Sequence, residues 1–215
     1  MNGFTFKSFE NRGARSGAGF TLIELLIVIG LLIIVGGTII AVERDLFSVN
    51  NFFQETFSEQ LDADAAMQDI VSELRSAAPS SIGSYPIEIA ASNSIAFYSN
   101  VDKDFYQERV QYFLSGTSLM KSVVKPAGAI LTYATTTASE TLRAVLKNLV
   151  ASSTTMFSYY DKNYAGTTTP LASPVNVLDI RLVRIMLSVD KSPGLGAPPV
   201  IVSSQVEVRN LKDNL

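Results

Sequence analysis

A continuous apolar block near the N-terminus places the strongest constraint on what this chain can fold into. The block runs for 23 residues, from Phe20 to Val42, and its only polar side chains are two threonines and one carboxylate, Glu24. An α-helix of this length reaches across the roughly 30 Å hydrocarbon core of a bilayer. The sequence therefore predicts a membrane-spanning helix over residues 20–42.

The charges before the block predict its orientation. Lys7, Arg12 and Arg15 precede it against a single acid, Glu10. Because cytoplasmic flanks of membrane helices carry an excess of Lys and Arg, we expect the N-terminus in the cytoplasm and the chain from residue 43 outside. The expected location is the cytoplasmic (inner) membrane, crossed once.

Glu24 is the feature that an ordinary membrane anchor does not explain. A carboxylate inside a bilayer costs a few kcal/mol, so an acid there is a functional hypothesis in its own right. A secretory signal peptide has an apolar core of about 7–15 residues followed by a small-residue cleavage site. This block is longer, and no such site follows Ala41. A plain signal anchor fits the length and the charge bias but leaves Glu24 without a role.

The residues around Glu24 read Gly19-Phe20-Thr21-Leu22-Ile23-Glu24. This motif resembles the cleavage and methylation signal of type IV prepilins and type II secretion pseudopilins, strongly over residues 17–42 and weakly elsewhere. The resemblance implies that a prepilin peptidase cuts between Gly19 and Phe20 and that Phe20 becomes the N-methylated first residue. Glu24 would be the fifth residue of the mature chain, with a role in assembly.

The resemblance also implies an organisation into three parts and a set of partners. Residues 1–19 would be the leader, 20–42 the transmembrane and assembly helix, and 43–215 a globular head. Expected partners are the prepilin peptidase, other pilins or pseudopilins, the inner-membrane assembly platform, and membrane lipid before assembly. Cleavage would create an ammonium at residue 20, which could pair with the residue 24 carboxylate of a neighbouring subunit.

Composition limits the remaining function classes. After residue 19 the chain holds 14 basic and 19 acidic side chains, so nucleic-acid binding has little electrostatic support. Histidine and cysteine are absent, which excludes disulfides, Ser-His-Asp and Cys-His catalysis, and zinc sites that need those ligands. We expect no enzyme activity and no cofactor. Asp102, Asp104 and Glu108 could in principle collect calcium, but they lack EF-hand spacing, and acids on a turn are usually solvated, so no metal site is predicted.

Helical periodicity continues beyond the membrane block, to about Ala78 before Pro79. The apolar positions at three- and four-residue steps are Leu46, Val49, Phe53, Phe57, Leu61, Ile70, Val71, Leu74 and Ala78. We therefore predict one long helix, whose second half packs on the head through an amphipathic face. Phe47, Phe52, Phe53 and Phe57 are expected in the core.

From residue 80 onward the pattern predicts short strands, and hence an α+β fold with an antiparallel β-sheet head. The predicted strands are Ile87–Ala91, Ser94–Ser99, Glu108–Leu114, Ser118–Val124, Met156–Tyr160, Leu178–Val189 and Val200–Val208. One further helix is predicted over Glu140–Leu149, with Ser139 as its N-cap.

Two of these segments refine the resemblance. The hairpin beginning at Glu108–Leu114, and the run Phe157–Asp161, are similar to J-type minor pseudopilins of type II secretion. Ala41 stands where many major pilins carry a helix-kinking proline. These features favour a minor component of a pilus or pseudopilus. The alternative is a surface-binding minor pilin, for adhesion or DNA uptake, that acts through loops 163–176 and 191–199.

Overall fold

A computed structural model describes residues 19–102, 104–134, 140–150, 155–190 and 198–208. Within the helix, the side chains of residues 41, 44–52 and 55 are also outside the description. The fold is α+β, with one apolar N-terminal helix and antiparallel β-sheets. The chain divides into two compact units, with the boundary between Asn51 and Phe52.

One long helix, α1, occupies Leu22–Arg75. The sequence predicts it from about residue 20 to about residue 78, so its existence is confirmed and its ends are each a few residues shorter. The chain just beyond its C-terminal end is held by the segment around Tyr98, because the backbone N–H of Ala78 donates to the Tyr98 carbonyl at 2.9 Å. Pro79 follows, and it cannot supply the N–H that a further helical turn needs.

Five antiparallel strands form the larger sheet, in the order in which they occur in the chain. They are β1 Ile87–Ala91, β2 Ser94–Ser99, β3 Glu108–Ser115, β4 Ser118–Val124 and β5 Glu140–Leu146. The first four confirm the sequence prediction to within one residue. Gly116 has a φ of +60° in the tight β3–β4 turn, a conformation that glycine adopts without steric cost.

The predicted helix over Glu140–Leu149 is wrong, because this segment forms strand β5. It pairs along the free edge of β4, which offers backbone hydrogen bonds that a helix there would leave unused. Leu142, placed on the apolar face of that helix by the sequence pattern, is 55% exposed. Asn148, with a φ of +59°, then turns the chain out of the strand. Ser139, the predicted N-cap, lies outside the described residues.

Three antiparallel strands form a second sheet, which the sequence pattern did not separate from the first. They are β6 Phe157–Tyr160, β7 Leu182–Val189 and β8 Val200–Glu207. The predicted strand over Leu178–Val189 begins later, because Val177–Asp179 form a 3₁₀ turn capped by Asn176. In β8 the exposed side chains alternate with more buried ones, which is the pattern of a half-exposed antiparallel strand.

The second half of α1 and both sheets share one apolar core. The helix contributes small and aliphatic side chains, which are Ala63, Ala66, Met67, Ile70 and Leu74, and Ala77 just beyond its end belongs to the same core. The expectation that Phe53 and Phe57 belong to this core is wrong, since they are 56% and 67% exposed, and Leu61 is 67% exposed. The alanines explain the difference, because they allow the sheet to approach a different face of the helix. Phe47 and Phe52 lie outside the described side chains.

A buried polar contact fixes the helix against the larger sheet. The Lys121 ammonium on β4 pairs with the Glu73 carboxylate on α1, and the Tyr112 hydroxyl on β3 donates to the same carboxylate at 2.7 Å. Lys121 has only 5% of its side chain exposed. Breaking a buried pair by removing one partner leaves an uncompensated charge, so this contact specifies how the helix docks.

Candidate functional site

The N-terminal unit presents a helix that the chain itself does not cover. Its most apolar window, Leu22–Ile40, has 19 residues and a mean hydropathy of 2.8, and none of it is buried. Apolar side chains on all sides are exposed, for example Leu22 at 81% and Ile33 at 68%. By length and composition this helix is able to cross a membrane.

The proposed cleavage site lies immediately before this helix. Gly19 and Phe20 precede the first helical residue, and the Phe20 side chain is 80% exposed. A Cβ added at Gly19 would meet no described atom within 4 Å. A requirement for glycine at this position would therefore come from another protein, such as a peptidase, and not from the packing of this chain.

Thr21 caps the helix, a role that the sequence reading missed. Its hydroxyl oxygen accepts the Glu24 backbone N–H at 3.3 Å, and its carbonyl accepts the N–H of Leu25 at 3.1 Å. Glu24 is then the third helical residue, and Thr-x-x-Glu is the spacing of a capping box. That spacing is visible in the sequence and could have predicted the cap. Because the helix N-terminus carries partial positive charge, an acidic residue is favoured at this position of the helix.

A group of acidic side chains lies in and next to the loop between β2 and β3. One carboxylate oxygen from each of Asp102, Asp104 and Glu108 lies within 4.8 Å of the other two. The two aspartates are partly exposed, but Glu108 is only 1% exposed. The expectation that acids on this turn are solvated is therefore wrong for Glu108, which begins β3 and points into the head.

Hydrogen bonds and burial act differently on the acids of this loop. The Lys125 ammonium pairs with Asp102 at 2.6 Å and also with Asp104, and the bond to Lys125 lowers the pKa of Asp102. Burial raises the pKa of Glu108, although the Val101 N–H, which donates to its Oε2 at 2.9 Å, works in the opposite direction. The arrangement is one of three carboxylates beside a single described ammonium.

The loop over 163–176, which the adhesion alternative needs, is tied to the second sheet. The Arg184 guanidinium on β7 lies 5.1 Å from the ring centre of Tyr160 and 5.8 Å from that of Tyr164. It also donates to the Tyr164 hydroxyl at 2.5 Å. These contacts hold the start of the loop. Most of the other loop, residues 191–197, is outside the described residues.

The chain matches none of the models of known protein families, and no curated protein matches it.

Proposed function

We propose that this chain is a prepilin-type minor pilin or pseudopilin. A prepilin peptidase would process it, and its N-terminal helix would assemble it into a type II secretion pseudopilus or a type IV pilus. The observation that carries the proposal is the motif from Gly19 to Glu24, which stands at the start of an uncovered apolar helix. The proposed role is structural and not enzymatic, since it is carried by the apolar helix and by Glu24.

Cleavage between Gly19 and Phe20 would change the charge of the Phe20 nitrogen. Before the cut, the nitrogen of Phe20 is a neutral amide. After the cut it is an ammonium, and N-methylation keeps its charge. The side chains of Phe20 and Glu24 are both exposed, so both groups are accessible to another subunit. In an apolar bundle of such helices, the Phe20 ammonium of one subunit and the Glu24 carboxylate of the next would neutralise each other and favour one axial register.

Because Thr21 and Glu24 have the spacing of a capping box, Glu24 could act in helix capping and not in assembly. The experiment has to distinguish these two roles. As a capping residue, Glu24 would act only on its own helix. As an assembly residue, it would act on a neighbour. Thr21→Ala removes the capping hydroxyl and keeps the carboxylate, whereas Glu24→Gln keeps an acceptor at the same place and removes the charge.

The test measures incorporation of the subunit into sheared fibres in the native host, with the membrane level as reference. We expect Glu24→Gln to reach the membrane and to be cut at Gly19, but to be depleted from fibres, since an unpaired ammonium in an apolar medium costs on the order of 3–5 kcal/mol. Glu43→Gln is the matched control, because Glu43 is an exposed acid of the same helix outside the apolar window. Thr21→Ala should keep most of its incorporation. Depletion of Thr21→Ala together with normal incorporation of Glu24→Gln would assign Glu24 to capping, because glutamine keeps the acceptor. Normal incorporation of Glu24→Gln would by itself refute the pairing.

A further inference from the structure

Strand β8 has an edge that no described strand covers. It is the last strand of the three-stranded sheet, so it pairs with β7 on one side and with no strand among the described residues on the other. Alternate residues of an edge strand direct their backbone N–H and C=O groups away from the sheet. A row of donors and acceptors at that spacing fits the backbone of a further extended chain, so the edge is a template for adding a strand.

The edge strand of the larger sheet, β5, carries features that oppose such an addition. Its pairing with β4 is interrupted by a register shift between Leu119 and Met120. It also holds two charged residues, Glu140 and Arg143, and Arg143 forms an ion pair with Asp69 of α1 at 3.6 Å. Irregular pairing and charged side chains are the ordinary protection of a sheet edge against another chain.

Strand β8 lacks these features along most of its length. Its pairing with β7 runs without a register shift through all eight residues of the strand. Residues 200–206 carry no charge and are rich in β-branched side chains, and Ile201 is 61% exposed. The charged residue of the strand, Glu207, stands at its last position. The edge is therefore long, regular, uncharged and partly apolar, which favours the addition of a partner strand.

We propose that β8 is an interface between two copies of this chain, in which the two strands pair edge to edge as antiparallel neighbours in one continuous sheet. A second copy suits this edge, because residues 200–206 bring no like charges together when the strand pairs with itself. An antiparallel pair of identical strands has twofold symmetry, so the contact closes after two copies and does not propagate. The inference concerns the head alone and does not depend on the assignment to a pilus or pseudopilus.

The alternation of side chains along β8 selects the register of the pair. Residues of one face must meet residues of the same face, since a slip by one residue would turn the apolar side chains outward. The register with Ser204 opposite Ser204 of the other copy meets this condition. It places Val202 opposite Val206 and Val200 opposite Val208, all on the less exposed face of the strand. The contact spans residues 200–208, far fewer than the roughly 20–30 residues a side of a standard interface, so we expect a weak, concentration-dependent dimer.

Single cysteines test the register, because the chain contains none of its own. With the full chain in detergent micelles, mild oxidation should join two copies of the Ser204→Cys variant, since directly opposite residues have Cβ atoms about 4.5–5.5 Å apart. Ile201→Cys is the matched control in the same strand. Residue 201 lies opposite residue 207 of the other copy, so the two thiols are about 20 Å apart and should not join. Equal yields of dimer from the two variants, or no dimer from either, would overturn the proposal.

A lysine at the edge separates pairing through β8 from contact between the apolar N-terminal helices. Ser203 is exposed, so Ser203→Lys should leave the head folded. In the dimer it would place two ammonium groups on one face with Cβ atoms about 7–8 Å apart. Added to Ser204→Cys, it should lower the yield of dimer at least about fivefold, whereas Ser203→Thr should not. Dimers joined only through the helices would form equally well with Ser203→Lys, and that result would refute the interface.

Hydrogen exchange of the unmodified chain provides a measurement without substitutions. As the protein concentration rises, some amides of β8 should exchange more slowly, because the second copy accepts their hydrogen bonds. The amides of β5 are the control within the same molecule and should exchange at one rate throughout. Exchange in β8 that does not change with concentration, in a chain that stays monomeric, would refute pairing between copies.

Discussion

The two halves of α1 are both α-helical, but they differ in which of their side chains are exposed. In Leu22–Ile40 the apolar side chains are exposed on all sides. In the second half, one face is buried and is built from alanines together with Met67, Ile70 and Leu74, whereas Phe53, Phe57 and Leu61 are exposed. The second half packs on the head through this face, whereas the first half has the length and composition of a helix that is able to cross a membrane.

Removing the first half should have the largest effect on the behaviour of the protein and little effect on the fold of the head. A fragment that begins near Asn50 retains every helix side chain in the described core, so we expect it to be soluble without detergent, monomeric and cooperatively folded. Circular dichroism and sedimentation measure this. A disordered fragment would show that the head needs the first half to fold.

The same substitution in the two halves of α1 should lower the free energy of unfolding of the head by very different amounts. Leu74→Ala removes a fully buried side chain and should lower the free energy of unfolding by about 2–5 kcal/mol. Leu32→Ala, in the exposed window, is the same chemical change in the same helix and should leave head unfolding within about 0.5 kcal/mol. Chemical denaturation followed by tyrosine fluorescence compares the two. Similar losses for both variants would remove the distinction between the halves.

Alkaline pH should weaken the head by a smaller amount. Burial raises the pKa of Tyr112 and of Tyr159, and the Glu73 carboxylate raises that of Tyr112 further. Because the folded-state pKa is above the unfolded value of about 10, both hydroxyls contribute stability that is present below that pH and lost as the pH rises above it. Spectrophotometric titration should show some of the eight tyrosines ionising only on unfolding. Ionisation of all eight near pH 10, in a protein that keeps its native circular dichroism, would contradict this.

The parts of the fold with local signals could be predicted from the sequence. The apolar block predicts the helix, and the short segments between residues 87 and 124 predict the first four strands. The face of α1 that packs on the sheet could not be predicted, because Phe57 and Leu74 fit the same helical period and only the tertiary structure selects between them. Glu140–Leu149 has helical spacing as well, but the free edge of β4 overrides that weak preference.

The candidate sites were predictable to different degrees. Glu24 stands out because it is the one charge in an apolar run, and the cap by Thr21 could have been recognised from the spacing. The character of the acidic loop could not be predicted, since the sequence does not reveal that Glu108 is buried or that Lys125, 23 residues after Asp102, faces the aspartates. Register between β3 and β4 brings these residues together, and register depends on the whole sheet.

The proposal that the first half of α1 serves assembly depends most directly on processing between Gly19 and Phe20. Intact-mass measurement of the protein from the membranes of its native host tests this. We expect a chain that begins at Phe20 and carries one added methyl group, and we expect Gly19→Leu to remain uncut in the membrane. A mature protein that still carries the residues before Phe20 would contradict the account.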